Sequence, residues 1–388
     1  MRMDGVSTKH DAPGATHRFM ALDALRGIAA IAVVFYHIGD FGLIAGLPLF
    51  LHAHIFVDFF FVLSGFVIAS AYGERLARGF SRATFLLLRL GRIYPLHIFM
   101  VGVFAVTKIA SGRSLLEGEH GPFFLARALL LLDAFFTDVA NYYNAISWSI
   151  SAELVAYALS ALLFGLGRAG LLTAVAIWLV CAVTFVSDFD VVVFTHLLQE
   201  ALVGFGLGVG CYGIYRRSTF QAGICLASLA ETAILLVAGA LIVWSGDVSP
   251  RILVCDLAFI MLILVFARER GVFSRVALTR PMQALGSWSY SIYMVHSFVI
   301  MVSSVGLQFL LRRFDYIALL RQSADRDGLR TVDLGPIGNT LLSLFVVALI
   351  IAISSQTYRF IEQPGRRWAR RNALRQGKGD AEAAAPTI

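Results

Sequence analysis

Charged residues are scarce in this sequence. Asp, Glu, Lys and Arg make up only 15% of its 388 residues, whereas a soluble domain carries about 25%. Hydrophobic residues make up 58%, which is enough for about ten stretches of the roughly 20 apolar residues that cross a hydrocarbon core. The scarcity of charge excludes an ordinary soluble enzyme, and the sequence predicts an integral membrane protein.

Cysteine is also scarce, and metal-binding patterns of cysteine and histidine are missing. We interpret Cys181, Cys211, Cys225 and Cys255 as buried thiols because each lies within or beside an apolar run. We therefore expect no metal site. The sequence lacks a glycine period and heptads, and it contains 31 Phe, which excludes collagen, coiled coil and a disordered chain. No small-residue cleavage site follows the first apolar run, so we expect an uncleaved first span.

Ten apolar stretches are predicted to be membrane-spanning helices. They lie near residues 24–42, 54–72, 93–110, 147–166, 170–187, 193–214, 223–244, 252–267, 286–310 and 336–357. The apolar segment 123–136 is too short for a span and contains Arg127 and Asp133, so we expect an interfacial or re-entrant helix there. The predicted fold class is an all-α integral membrane protein.

Basic residues are concentrated in alternate loops and in the two tails. By the positive-inside rule, this pattern predicts that both termini are cytoplasmic. It also explains the net charge of +7 without a nucleic-acid partner. We expect a cytoplasmic tail over residues 1–20, a membrane domain over 21–368 and a disordered tail over 369–388. The segment 312–330 is predicted to be a polar outer loop, more typical of a solvated loop than of a substrate-binding surface.

The first span contains two ionisable residues, which are costly in a membrane and therefore indicate function. Arg26 and His37 are eleven positions apart, so they lie on one helix face and about 16 Å apart along its axis. This separation is comparable to an extended pantetheine arm, so a phosphate-rich head at the inner surface could deliver its thioester to His37. The alternatives are a snorkelling topology anchor for Arg26 and a hydrogen-bonded core histidine for His37.

The second span begins with a carboxylate. Asp58, at the outer entrance, could orient His37 as carboxylates orient catalytic imidazoles. Later in this span, Ser64 and Gly65 are interpreted as packing residues, because Gly65 allows two helix backbones to approach closely.

The following inner loop is rich in arginine. Arg89 and Arg92 are three positions apart, so they share a helix face, and two guanidinium groups suit a phosphate ligand. The positive-inside rule alone would also predict arginine here. Near the end of the chain, Glu362 could pair with Arg366 or Arg367 on the same inner side.

Two later spans contain further candidates for substrate binding and catalysis. Ser149 and Glu153 are four positions apart and share a face, and Trp148 precedes them. Tyr293 and His296 lie one turn apart on a late span. The alternatives are an interfacial belt residue for Trp148 and contacts between helices for Tyr293 and His296.

Taken together and in this order, these stretches resemble membrane acyltransferase family 3, which includes bacterial O-antigen, exopolysaccharide, Nod-factor and macrolide O-acyltransferases. The resemblance extends from Leu22 to about Arg367. It depends on the spacing from Arg26 to His37, VDFFFVLSGF, Arg89-x-x-Arg92-Ile-Tyr-Pro, Trp148-Ser149 with Glu153, SYSIYMVH and Glu362-x-Pro.

The resemblance implies transfer of an acyl group, usually acetyl, from cytoplasmic acyl-CoA to a hydroxyl of a carbohydrate or other acceptor. Carried over by position, His37 matches the family's essential histidine, Arg26 its paired basic residue, and Arg89 and Arg92 its double-arginine motif. We expect acetyl-CoA as the donor, with its phosphates held by these three arginines. The expected partners are a carbohydrate or lipid-linked sugar, membrane lipids, and glycan-synthesis proteins or a second copy of the chain.

His37 is the expected catalytic group. It would act as a general base on the acceptor hydroxyl, or accept the acyl group itself, because an imidazole with a pKa near 6.5 suits proton transfer at neutral pH. Asp58 or Glu153 would orient the imidazole. Trp148, Ser149, Tyr293 and His296 are the expected contacts to the substrate.

Two other classes of protein fit part of the pattern. An exporter of a glycan or lipid could use His37, Asp58 and Glu153 as a proton relay, but the sequence shows no internal repeat of the kind common in secondary transporters. The density of polar residues within the spans disfavours a non-catalytic scaffold. An O-acyltransferase acting on a small molecule is a third alternative.

Overall fold

The computed structural model is a bundle of helices. It describes residues 18–39, 42–112, 114–115, 121–136, 143–187, 195–219, 222–246, 249–316, 320–322 and 330–376. Its α-helices are α1 (Met20–Ile38), α2 (Gly42–Ala45), α3 (Pro48–Leu51), α4 (Phe56–Ile68), α5 (Glu74–Ala77), α6 (Arg82–Ala110), α7 (Pro122–Leu129), α8 (Ser147–Leu163), α9 (Gly167–Val186), α10 (His196–Arg217), α11 (Ile224–Ser245), α12 (Ser249–Phe266), α13 (Val272–Ala277), α14 (Arg280–Arg313), α15 (Gly335–Thr357) and α16 (Gln363–Gln376). Short 3₁₀ or π turns occur at Ala53–Ile55, Ala69–Gly73, Asp133–Phe135, Phe164–Leu166 and Tyr358–Glu362.

Eight helical segments of the described chain are long and apolar enough to cross a membrane. They are Met20–Ile38, Ala53–Ala77, Arg82–Ala110, Ser147–Val186, His196–Arg217, Ile224–Ser245, Arg280–Arg313 and Gly335–Arg375. The segment Ser147–Val186 contains two helices, because Gly167 has a φ of +57° and interrupts it. Helix α12 lies where a further span is predicted. A multi-pass helical protein is therefore confirmed, and the total of ten spans stays a prediction.

Glycine residues bring neighbouring helices into backbone contact. A Cβ added at Gly65 of α4 would lie 2.0 Å from the carbonyl oxygen of Phe205 in α10. One added at Gly27 of α1 would lie 2.6 Å from the backbone nitrogen of Gly286 in α14. Small residues have this role in membrane bundles, where backbone proximity increases van der Waals contact. The packing interpretation of Gly65 is confirmed.

The segment from α7 to Phe136 packs inside the bundle through polar contacts. Arg127 and Asp133 are both buried and form an ion pair, with Nε and Oδ1 2.9 Å apart. Ser147 of α8 donates a hydrogen bond to the other oxygen of Asp133 at 2.9 Å. A short helix is therefore confirmed here. Its two charges neutralise each other within the protein, and its position relative to the membrane stays a prediction.

Two short β-strands lie in the connection between two helices of the otherwise helical described chain. Strand β1 (Leu320–Gln322) pairs antiparallel with β2 (Arg330–Val332) in the predicted outer loop. This segment lacks the long apolar runs on which the span prediction depends. The backbone N–H and C=O groups of the two strands form hydrogen bonds with each other. The pattern of apolar runs does not predict this pairing.

The C-terminal tail prediction also needs correction, because α16 extends through residues 369–376, which the sequence assigns to disorder. The helix is ordered by contact with α6. Ala369 and Ala373 are buried, and a Cβ added at Gly91 of α6 would lie 2.2 Å from the Cβ of Ala369. The predicted tail residues 1–17 and 377–388 lie outside the described residues.

The cysteine prediction is correct at three positions. Cys181, Cys211 and Cys255 are buried free thiols, whereas Cys225 is free and exposed. Cys225 lies in the first turn of α11, on a face of the helix that is not covered by the bundle. An apolar sequence environment therefore does not imply burial within the protein, because a lipid-facing surface is apolar too.

Candidate functional site

Arg26 is fixed by polar contacts between α1 and α14. Its Nε donates to the hydroxyl of Ser289 at 2.9 Å, and its Nη2 donates to the carbonyl oxygen of Gly286 at 3.2 Å. Nη2 also lies 3.0 Å from a carboxylate oxygen of Asp23, one turn earlier in α1. The guanidinium charge is thus partly balanced, and its position is set by three groups.

His37 meets a second histidine on the same neighbouring helix. Its Nδ1 lies 3.0 Å from the carbonyl oxygen of Val33 and 3.2 Å from Nε2 of His296. The two ring centroids are 4.8 Å apart, and His296 is fully buried. Because Arg26 and His37 both contact α14, the prediction that they share one face of α1 is confirmed.

A cavity lies beside Arg26. It is lined by residues from α1, α4, α6, α8 and α14. The volume within it that is accessible to a water-sized molecule is about 90 Å³. Six of the predicted site residues line it: Arg26, Arg89, Arg92, Ser149, Glu153 and Tyr293. The shared faces predicted for Arg89 with Arg92 and for Ser149 with Glu153 are confirmed.

Arg89 is held between aromatic rings. Its side chain is buried, and its Nη2 donates to the hydroxyl of Tyr72 at 3.1 Å. The guanidinium carbon lies 5.0 Å from the ring centroid of Tyr72 and 5.9 Å from that of Tyr157. Cation–π attraction of this kind partly offsets the cost of burying the charge. The ring contacts also fix the direction in which the guanidinium faces the cavity.

Glu153 provides the carboxylate on the cavity wall. Ser64 donates to its Oε1 at 2.6 Å, and the Tyr157 hydroxyl donates to the same oxygen. Ser64 and Tyr157 also contact each other at 3.0 Å. Tyr157 is not among the predicted site residues, although its position four residues after Glu153, on the same helix face, is the signal that could have found it. Ser64 is predicted only as a packing residue.

Tyr293 connects the cavity to the histidine pair. Its hydroxyl lies 2.7 Å from that of Ser149 on α8, and its ring centroid is 5.7 Å from that of His296. Ser149 in turn donates to the carbonyl oxygen of Ile146 at 3.1 Å. Tyr293 therefore joins two helices and also lines the cavity, so the two interpretations of this residue do not exclude each other.

The structure places the two carboxylates expected to orient His37, those of Asp58 and Glu153, against other side chains. Asp58 is buried, and its carboxyl lies close to those of Glu200 of α10 and Asp256 of α12. It faces these helices because α4 packs on both. Glu153 accepts hydrogen bonds from Ser64 and Tyr157, as described above. Within the described residues, the side chain that contacts Nδ1 of His37 is that of His296.

Trp148 does not line the cavity. It is partly buried and packs against Phe61 of α4, with ring centroids 6.2 Å apart. Its neighbour Ser149 faces the cavity instead, because successive helical residues point about 100° apart.

Glu362 forms the predicted ion pair at the inner end of the bundle. Its Oε1 lies 3.4 Å from Nε of Arg366, and its Oε2 accepts a hydrogen bond from Ser291 of α14 at 2.9 Å. Arg26 and Arg92 interact with the same carboxylate through their charges. The start of α1 and the end of α15 therefore lie at the same end of the bundle.

These features define a multi-pass membrane protein. Arginine side chains and hydroxyl groups line one of its cavities, and Tyr293 on the cavity wall contacts one of a pair of imidazoles. Residues 20–358 match the acyltransferase domain of acyltransferase family 3. The match covers most of the chain, so the chain belongs to this family, and the resemblance is confirmed. The protein is a membrane O-acyltransferase.

Two known proteins are similar to this chain, and one of them is named an acyltransferase. "Protein 2 in picA locus" of Rhizobium radiobacter is 34% identical over 159 residues, covering 37% of this chain and 81% of that protein. "Acyltransferase MdmB" of Streptomyces mycarofaciens is 26% identical over 326 residues, covering 74% of this chain and 80% of that protein. No solved structure matches this chain.

Proposed function

We propose that this enzyme transfers an acetyl group from cytoplasmic acetyl-CoA to a hydroxyl of a carbohydrate, such as an exopolysaccharide, an O-antigen or a lipid-linked sugar, in the bacterial inner membrane. The observation that supports this most strongly is the placement of Arg26, Arg89 and Arg92 on one cavity. Tyr293 lines this cavity and contacts the ring of His296, which in turn contacts that of His37. Acyl transfer from a CoA thioester requires groups that bind the anionic phosphates of CoA and a group that accepts the proton of the attacking hydroxyl.

The donor is expected to bind with its phosphates at the arginine end. Guanidinium groups bind phosphate through paired, charge-assisted hydrogen bonds. Arg26 and His37 are eleven residues apart on one helix face, which separates them by about 16 Å along the axis. An extended pantetheine arm covers a comparable distance, so its thioester would reach His37 while its phosphates stay near Arg26.

The chemistry follows from the position of the imidazole. His37 removes the proton of the acceptor hydroxyl as its oxygen attacks the thioester carbonyl carbon. The carbon–sulfur bond then breaks, and the departing CoA thiolate takes the proton from His37. The products are the O-acyl ester and CoA-SH, and His37 returns to its neutral form.

The role of the arginines is tested by donor binding. We expect Arg89→Gln and Arg92→Gln in nanodiscs to weaken CoA binding by about tenfold or more, because a hydrogen bond to a charged group contributes about 1.5–3 kcal/mol. Isothermal titration with CoA measures this. Arg78→Gln is the matched control, because Arg78 is on the same inner segment but is exposed and paired with Glu74. Equal affinity in all four proteins would contradict the proposed donor site.

The acceptor is tested in cells. Proton NMR of total surface glycans would compare a deletion strain with strains rescued by the wild type or by membrane-inserted His37→Ala. We expect an O-acetyl signal only with the wild type. An unchanged signal in the deletion strain would show that the acceptor is not a surface glycan. Loss of glycan export without loss of O-acetylation would favour the exporter alternative.

A further inference from the structure

The carbonyl contacts of the two histidines determine where their protons lie. A carbonyl oxygen only accepts hydrogen bonds. Nδ1 of His37 lies 3.0 Å from the carbonyl oxygen of Val33, so this nitrogen carries a proton in the neutral ring. Nδ1 of His296 lies 3.3 Å from the carbonyl oxygen of Ile292 and is protonated for the same reason. In each neutral ring, Nε2 then holds the lone pair.

These two tautomers make the contact between the rings directional. Nδ1 of His37 and Nε2 of His296 are 3.2 Å apart. Nδ1 of His37 carries one hydrogen and Nε2 of His296 carries a lone pair. This hydrogen is shared between the carbonyl oxygen of Val33 and Nε2 of His296, so His37 donates to His296 through a three-centre hydrogen bond. The same assignment leaves Nε2 of His37 as the basic nitrogen of that ring.

We propose that His296 is the positioning residue for His37: together with the carbonyl oxygen of Val33 it accepts the Nδ1 hydrogen of His37 and so holds the tautomer in which Nε2 is the base, and it stabilises the imidazolium that forms during acyl transfer. This inference rests on the proposed function. In serine hydrolases a carboxylate has this role for the catalytic histidine. Here a second, fully buried imidazole takes the position that the sequence analysis assigns to Asp58 or Glu153.

The surroundings of His296 hold it in place. Tyr293, one turn earlier in α14, contacts Ser149 of α8 at 2.7 Å. Asn144 donates to the carbonyl oxygen of Met294 at 3.4 Å and accepts from the hydroxyl of Ser297 at 3.1 Å. Contacts to α8 and to the segment before it therefore fix this turn of α14 on both sides of His296. A firmly held acceptor is what a positioning residue requires.

During the reaction, the proton of the acceptor hydroxyl moves to Nε2 of His37, and the ring becomes positively charged. The Nδ1 hydrogen of His37 stays on the donor side of its bond to His296, and that bond becomes charge-assisted and stronger. When the thiolate leaves, it takes the proton from Nε2 of His37. His296 therefore ends the cycle in the state in which it began.

The test compares two substitutions of nearly equal size. Gln can place its carbonyl oxygen near the position of Nε2 and accept the hydrogen bond, whereas Met has a similar volume and accepts only weakly. We expect His296→Met to lower kcat by about 10²-fold with little change in the KM for acetyl-CoA. We expect His296→Gln to restore kcat to within about tenfold of the wild type.

The readouts are steady-state kinetics with acetyl-CoA and a hydroxyl acceptor in nanodiscs, CoA affinity, and thermal unfolding. Equal kcat for the Gln and Met variants, at equal melting temperature, would overturn the inference, because packing alone would then explain His296. Full activity of His296→Met would overturn it as well. If the wild type itself transfers no acetyl group to any hydroxyl supplied, the proposed function fails and the inference fails with it.

Discussion

At the scale of single residues, aromatic rings and a carboxylate stabilise the arginine cations of the site within apolar helices. Arg89 is buried between the rings of Tyr72 and Tyr157, and Arg26 has Asp23 within 3.0 Å. Each guanidinium is thereby held before any ligand arrives, which lowers the entropic cost of binding.

A fourth arginine belongs to the same electrostatic group. Arg366 pairs with Glu362 and interacts with Arg92 and Arg26 through their charges. We expect Arg366→Gln to raise the KM for acetyl-CoA several-fold with little change in kcat, because phosphate binding weakens while the imidazoles are untouched. Initial-rate kinetics over a range of donor concentrations would show this.

Arg367→Gln is the matched control for this prediction. Arg367 is the next residue of α16, is exposed, and is hydrogen-bonded to Gln363 at 2.9 Å. A similar rise in KM for both variants would mean that the general positive charge of this surface attracts the donor. Arg366 would then have no specific part in binding.

At the scale of helices, contact between backbones decides how the site is assembled. Gly65 lets α4 approach α10, and Gly27 lets α1 approach α14. The second of these contacts joins the two helices across which His37 meets His296. Since lipid is as apolar as the side chains, close packing contributes much of the stability of such contacts.

Gly65→Ala is therefore expected to destabilise the protein. The new Cβ would lie 2.0 Å from the carbonyl oxygen of Phe205, and overpacking of this kind costs about 1–3 kcal/mol. We expect a lower melting temperature in detergent, measured by tryptophan fluorescence.

Gly210→Ala serves as the control, because Gly210 lies on α10 and an added Cβ there has no atom within 4 Å. We expect its melting temperature to be unchanged or slightly higher, since alanine favours the helix by about 0.4–1 kcal/mol. Equal melting temperatures for the two variants would show that the contact between α4 and α10 is looser than the structure indicates.

At the scale of the whole molecule, the arginines gather at one end of the bundle. The start of α1, the start of α14 and the end of α15 meet there, through Arg26, Ser289 and Glu362. Helix α14 has 34 residues and is therefore about 50 Å long, so Tyr316, just beyond its end, lies at the opposite end. CoA is cytoplasmic and highly charged, so the arginine end is expected to face the cytoplasm.

Labelling of single cysteines tests this orientation. The background should contain Cys225→Ser, because Cys225 is an exposed native thiol. We expect Tyr316→Cys to react with a membrane-impermeant maleimide in spheroplasts, and Arg371→Cys on α16 to react only in inside-out vesicles. The reverse pattern would place the arginine end outside and would rule out a cytoplasmic donor at this site.

Much of the site could be predicted from spacing within single helices. The pairs Arg26 with His37, Arg89 with Arg92, and Ser149 with Glu153 each share a face because helical geometry fixes the direction of side chains by their separation in sequence. The apolar runs likewise determine where the long helices lie. Both are local properties, and the sequence contains them directly.

Only the tertiary structure decided which residues of different helices contact each other. His37 meets His296 across 259 positions of sequence, and Asp58 lies close to Glu200, because the glycine contacts set which helix faces touch. The same dependence explains why residues 369–376 are helical, since Ala369 packs on Gly91 of α6. Charge and polarity mark a residue as costly to bury, but its partner depends on how distant helices pack, which is a property of the assembled bundle.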